Sequence, residues 1–72
     1  MIGFGARLRF ATAERGLYLC NLADAVGVDR RTVYSWADEK FYPTADKLAK
    51  ICRTLQVSAD WLLVLEDNHD DE

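Results

Sequence analysis

Apolar side chains recur along this chain at the spacing of helices. Phe4, Leu8 and Ala11 stand at i, i+4 and i+7 on one face of a helix predicted over roughly residues 4–15, and Gly16 ends it. Leu22, Ala23 and Val26 predict a short second helix, stopped by Gly27. Asp29 is a favourable N-cap for a third, with Val33 and Trp36 inside it. After a connection through Phe41, Tyr42 and Pro43, Thr44 is placed to cap a fourth helix, whose inner stripe is Leu48, Ile51, Cys52 and Leu55. Ser58 does the same for a fifth, with Asp60 in its first turn and Trp61, Leu62 and Leu65 as its apolar face. No stretch of four or more residues alternates strictly enough to predict a strand. The pattern therefore predicts an all-α, compact five-helix bundle without internal repeats.

Length limits what that bundle can be. Seventy-two residues suit one small domain, expected over 1–65, and leave little room for a substrate pocket. Half the residues are apolar and 29% charged, which excludes a disordered chain. The longest apolar run, Trp61 to Leu65, is far too short to span a membrane, and Arg7 and Arg9 break any secretory signal, so a cytoplasmic location is expected. Cys20 and Cys52 lie far apart with no CxxC, and His69 is the sole histidine; no metal site or cofactor is expected, and the cysteines read as small buried thiols. No nucleophile has a base near it in sequence, so the chain does not read as an enzyme.

Charge changes the picture once it is divided along the chain. Residues 66–72 hold five of the twelve acids (Glu66, Asp67, Asp70, Asp71 and Glu72) and none of the nine basic residues. The first 65 residues thus set nine Lys and Arg against seven acids, a balance of +2, although the whole chain stands at −3. An acidic, disordered tail on a basic body is the expected organisation.

The informative stretch is residues 19–38. Two helices that cross closely need a small residue at the contact, which Ala23 supplies, and Gly27 takes the positive φ that a short reversal requires. Val28 plugs the corner, and Val33 and Trp36 pin the second helix. Leu22, Ala23, Val26, Gly27, Val28, Val33 and Trp36 together describe a helix-turn-helix core. At the start of its second helix stand Arg30 and Arg31, where the helix dipole disfavours a cation by about 0.3–1 kcal/mol. Asp29 offers partial compensation. The alternative is that the arginine forks are there to meet guanine O6 and N7.

Residues 3–65 resemble the Cro/lambda-repressor-like (XRE-type) helix-turn-helix domains. Arg7-Leu8-Arg9, Gly16-Leu17, Leu22-Ala23, Val26-Gly27-Val28, Thr32-Val33, Trp36, Leu55, Val57-Ser58 and Asp60 to Leu63 carry the resemblance in order. It implies the lambda-repressor type of five-helix fold and sequence-specific binding of double-stranded DNA, as a homodimer on a two-fold operator, in transcription regulation. Stand-alone size fits a small repressor of phage or prophage type. Carried over by position, Arg30, Arg31, Tyr34 and Ser35 face bases, and Lys40, Tyr42 and Thr44 face phosphate. Tyr18 stands in for the usual cap and phosphate-binding Gln at the start of helix 2. Three further departures mark this chain: Glu39 replaces a Gly after helix 3, Ala37 and Thr12 replace an ion pair between helices 3 and 1, and Phe10 replaces a polar residue. Phe10 is the expected dimer or partner surface. The competing readings are an antitoxin-like protein that binds both DNA and a protein partner, and a module that binds protein alone.

Overall fold

A computed structural model describes residues 3–65; the acidic segment 66–72 lies outside the described residues. Within them the chain forms α1 (Phe4–Glu14), α2 (Leu19–Val26), α3 (Arg30–Ala37), α4 (Ala45–Leu55) and α5 (Ala59–Leu62), and no strand. The fold is the all-α five-helix arrangement that the periodicity predicts. α2 packs on both α3 and α4, α1 lies against α2, α3 and α5, and α5 also rests on α4.

The core joins the predicted stripes. Phe4, Leu8 and Ala11 meet Leu22, Ala23 and Val26, then Val33 and Trp36, with Ile51, Leu55 and Leu62 closing the far side. Leu48, Cys52 and Trp61 pack partly buried at its edge. Both cysteines are free and only half-buried, so the expectation of buried thiols is met in part. The fifth helix is shorter than its spacing predicts. It ends at Leu62, the backbone turns left-handed at Val64 (φ +64°), and Leu65 leaves the apolar face for solvent.

The first four helices share one kind of ending. The N–H groups of Leu17, Val28, Lys40 and Val57 reach back to the carbonyls of Thr12, Ala23, Ser35 and Cys52 at 2.9–3.1 Å, the six-to-one bond of a Schellman motif. Each such motif needs one left-handed residue. Gly16 and Gly27 supply it without strain in two of them, whereas Glu39 (φ +59°) and Gln56 (φ +58°) supply it in the other two.

Beginnings are more varied. Thr44 Oγ1 accepts from the Lys47 N–H at 3.5 Å and Ser58 Oγ from the Trp61 N–H at 3.1 Å, as the sequence predicts. Asp29 occupies the N-cap of α3 with extended backbone, but its carboxylate makes no capping bond. Its Oδ2 lies instead 3.4 Å from Arg31 Nη2. α1 is capped from a distance. Glu39 Oε2 accepts from the Gly5 N–H at 2.7 Å and the Gly3 N–H at 3.2 Å, which satisfies first-turn donors that no local residue reaches. The same junction explains Gly5: a Cβ there would lie 2.0 Å from the Ala37 carbonyl oxygen.

Candidate nucleic-acid interface

α3 is held by one side and free on the other. Val33 and Trp36 are buried in the core, which fixes the helix about its axis. Arg30 and Arg31 are its first two residues and both are exposed; Tyr34 is exposed on the next turn, and Ser35 is half-buried. Those four expected base-facing residues therefore lie together along the accessible part of one short helix. The Arg31–Asp29 contact is wide open to water, with 90% of the arginine side chain accessible, so it contributes at most about 1 kcal/mol and is readily exchanged for another anion. Arg30 has no ion pair among the described residues.

The loop after α3 collects the expected phosphate-facing residues, though they differ in what they can offer. Lys40 is exposed, and its backbone closes α3. Thr44 uses a lone pair to cap α4, so its hydroxyl proton is still available to a phosphate oxygen. Tyr42 is committed elsewhere. Its hydroxyl donates its single proton to Glu39 Oε1 at 3.1 Å, and its ring stands edge-on to Phe4 with centroids 5.5 Å apart. Desolvation, then the Glu39 bond and charge, push the Tyr42 pKa up, so the phenol stays protonated. Tyr18, at the start of α2, is 77% exposed. Its side chain makes no capping bond; Asn21 Oδ1 instead accepts from the Tyr18 N–H at 2.9 Å.

Glu39 brings a negative charge to this loop, yet three donors absorb it. The Gly5 N–H is the strongest influence holding its carboxyl below the ordinary value; desolvation opposes it, and Tyr42 and the Gly3 N–H reinforce it. The Arg-apolar-Arg of α1 is structural as well. Arg9 Nη2 meets Asp38 Oδ1 at 2.6 Å, so α1 and α3 are joined by an ion pair even though Thr12 and Ala37 are neutral and buried. Thr12 turns its hydroxyl to the Leu8 carbonyl of its own helix. Arg7 Nη1 donates to the Trp61 carbonyl at 2.7 Å, and its guanidinium lies 5.1 Å from the centre of the Trp61 ring. Sequence reasoning marks Glu39 as a departure but misses its role as the distant cap of α1, and it misses Gly5 altogether. The one available signal was a non-glycine residue at the C′ position of a helix.

A family model described as "Helix-turn-helix domain" matches residues 5–68. The chain belongs to the helix-turn-helix domain family. This agrees with the resemblance to the Cro and XRE type, and it makes DNA binding in regulation the coarse functional class; helix-turn-helix domains are typically not enzymes. No curated protein and no solved structure matches the chain. Among the described residues of this helix-turn-helix protein, no helix is long and apolar enough to cross a membrane, and no group of His, Cys, Asp and Glu is arranged to hold a metal ion.

Proposed function

We propose that this protein is a sequence-specific transcriptional regulator, a small cytoplasmic repressor of phage or prophage type. It acts as a homodimer that lays the N-terminus of α3 in the major groove of each half of a two-fold operator. The observation that carries this reading is the pair Arg30–Arg31 at the exposed start of a helix whose opposite side is locked by Val33 and Trp36. Two adjacent cations at the positive end of a helix dipole are unfavourable for the fold alone and favourable against guanine edges. Tyr34 and Ser35 complete the base-reading edge. Tyr18, Lys40 and Thr44 donate to phosphates on either side of it. Tyr42, facing phosphate with lone pairs only, shapes the loop through Glu39 rather than bonding the backbone of DNA. The domain occupies residues 1–65, and residues 66–72 are a charged appendage.

Selection from random duplexes, followed by titration of the preferred site, tests the reading. Arg31→Ala is expected to weaken that site by about 1–3 kcal/mol and to relax preference at one base pair. Equal loss on every duplex makes Arg31 a phosphate contact. Failure of the unsubstituted protein to bind any duplex at low salt rejects the reading and leaves a protein-binding module.

A further inference from the structure

Phe10, expected to form a partner surface, is exposed, and its ring centroid lies 6.4 Å from that of Trp61. The loop between α3 and α4 holds a more definite arrangement, because a single carboxylate ties it to the start of α1. Glu39 turns the chain out of α3 with left-handed backbone (φ +59°). Its Oε2 accepts from the Gly5 N–H at 2.7 Å and the Gly3 N–H at 3.2 Å, while its Oε1 accepts from the Tyr42 hydroxyl at 3.1 Å. Tyr42 is held a second time by α1, since its ring stands edge-on to the buried Phe4. Tyr42 is nevertheless 37% exposed, on the loop that also carries the exposed Lys40 and Thr44. A phenol has one proton to donate, and here the Glu39 carboxylate takes it. Lys40, with no ion pair among the described residues, and Thr44, which uses only a lone pair in its cap, keep theirs free.

We propose that Glu39 attenuates DNA binding by withholding the Tyr42 proton: Tyr42 is a phosphate donor held back, and Glu39 is the positioning residue that holds it. The proposal rests on the DNA-binding reading above and deepens it. Phosphate oxygens only accept hydrogen bonds, so a phosphate reaching this loop needs donors. A carboxylate is a more basic acceptor than a phosphodiester and is already in place. The phosphate therefore meets the lone pairs of Tyr42 and the negative charge of Glu39, and neither attracts it. Exchanging Oε1 for an amide nitrogen reverses the bond. In Glu39→Gln the remaining oxygen still accepts from Gly5 and Gly3, in a weaker, uncharged form. The new N–H group donates to the phenol oxygen, and the phenol proton is released towards solvent. One substitution thus weakens the fold and strengthens DNA binding. A purely structural Glu39 would give losses of the same sign in both.

A double-mutant cycle on the full chain is the test: the unsubstituted protein, Glu39→Gln, Tyr42→Phe and the double variant, each titrated with duplex DNA at several salt concentrations. Glu39→Gln is expected to bind every duplex more tightly, partly through the charge it removes and partly through Tyr42. The double variant has the same charge and lacks only the hydroxyl, so its comparison with Glu39→Gln isolates the proton. That step is expected to cost about tenfold per bound chain, the worth of a hydrogen bond to a charged group. Removing the hydroxyl from the unsubstituted protein is expected to change affinity by a much smaller factor. A neutral hydroxyl releases no counterion, so the factor due to Tyr42 should persist as salt rises, while the factor due to charge fades. If Glu39→Gln does not fold, Glu39→Gly removes both the carboxylate and the left-handed strain and permits the same comparison. An equal effect of Tyr42→Phe with and without Glu39 overturns the proposal. So does a folded Glu39→Gln protein that binds DNA more weakly than its parent. Binding by all four proteins without coupling sinks this proposal alone, and binding by none sinks the DNA-binding reading and this proposal with it.

Discussion

At the scale of single residues, Glu39 carries two opposing effects. Its left-handed backbone costs a side chain roughly 1–2 kcal/mol relative to the ordinary helical region. Its carboxylate in return satisfies the N–H groups of Gly3 and Gly5, which would otherwise open α1 without a cap. Because those donors hold its pKa below 4.5, the ionised form is favoured in the folded state. That stability is present above the ordinary carboxylate range and disappears as pH falls through the lowered value. Urea titrations from pH 6 downward are expected to show a loss of stability below about pH 4.5, and Glu39→Gln to lack part of that fall. Gly5 gives a sharper prediction. With Ala37 O 2.0 Å from an added Cβ, Gly5→Ala must force apart two backbones, and its destabilisation should reach or exceed the roughly 1–3 kcal/mol of an ordinary overpacked site. A drop in Tm measures it, and an unchanged Tm would show that α1 has room to shift. Gln56 has the same left-handed strain with no side-chain hydrogen bond among the described residues to offset it. Gln56→Gly is therefore expected to raise stability by up to about 1 kcal/mol in denaturant titrations.

At the scale of elements, the helices were legible because the signals that make them are local. Leu8 follows Phe4 by one turn, and Ser58 lies three residues before the N–H it caps. The accepting side chain fixes the expected cost of losing a cap: Ser58→Ala should cost about 1 kcal/mol, whereas Asp29→Ala, with no capping bond to lose, should cost clearly less. Equal losses in thermal unfolding would mean that Asp29 caps α3 in solution after all. What spacing did not reveal lies between elements. Nothing near Gly5 in sequence names Glu39 as its partner, since 34 positions separate them. Arg7 and Arg9 could be matched to a family pattern, but only the fold shows one gripping Trp61 and the other Asp38. The candidate interface was read in the same uneven way. Helical phase puts Tyr34 and Ser35 outside, opposite Val33 and Trp36, and the position of Arg30 and Arg31 at the start of the helix exposes them; of the four only Ser35 is half-buried. The commitment of the Tyr42 proton depends on a loop conformation that no periodicity describes.

For the whole molecule, charge and connectivity set the expectations. A body of +2 is joined to a segment with five acids and no Lys or Arg, so that segment is expected to compete with phosphate for the basic surface. Removing residues 66–72 is expected to raise non-specific duplex affinity at low salt and to steepen its salt dependence, with little change in Tm. Superimposable titrations of the full and shortened chains would show the acids to be inert. The clasp between Glu39 and the start of α1 also bears on how fast this protein comes apart. α2 and α3 touch through a short turn and can assemble early, whereas the bond from Glu39 to Gly5 closes a long stretch of chain and forms only when both ends are already in place. Contacts made after the rate-limiting step slow unfolding and leave the folding rate almost untouched. Stopped-flow measurements on Glu39→Gln should then show a steep gain in the unfolding arm alone. On that expectation the clasp prolongs the lifetime of the native state, and α1 is the helix that its loss would release.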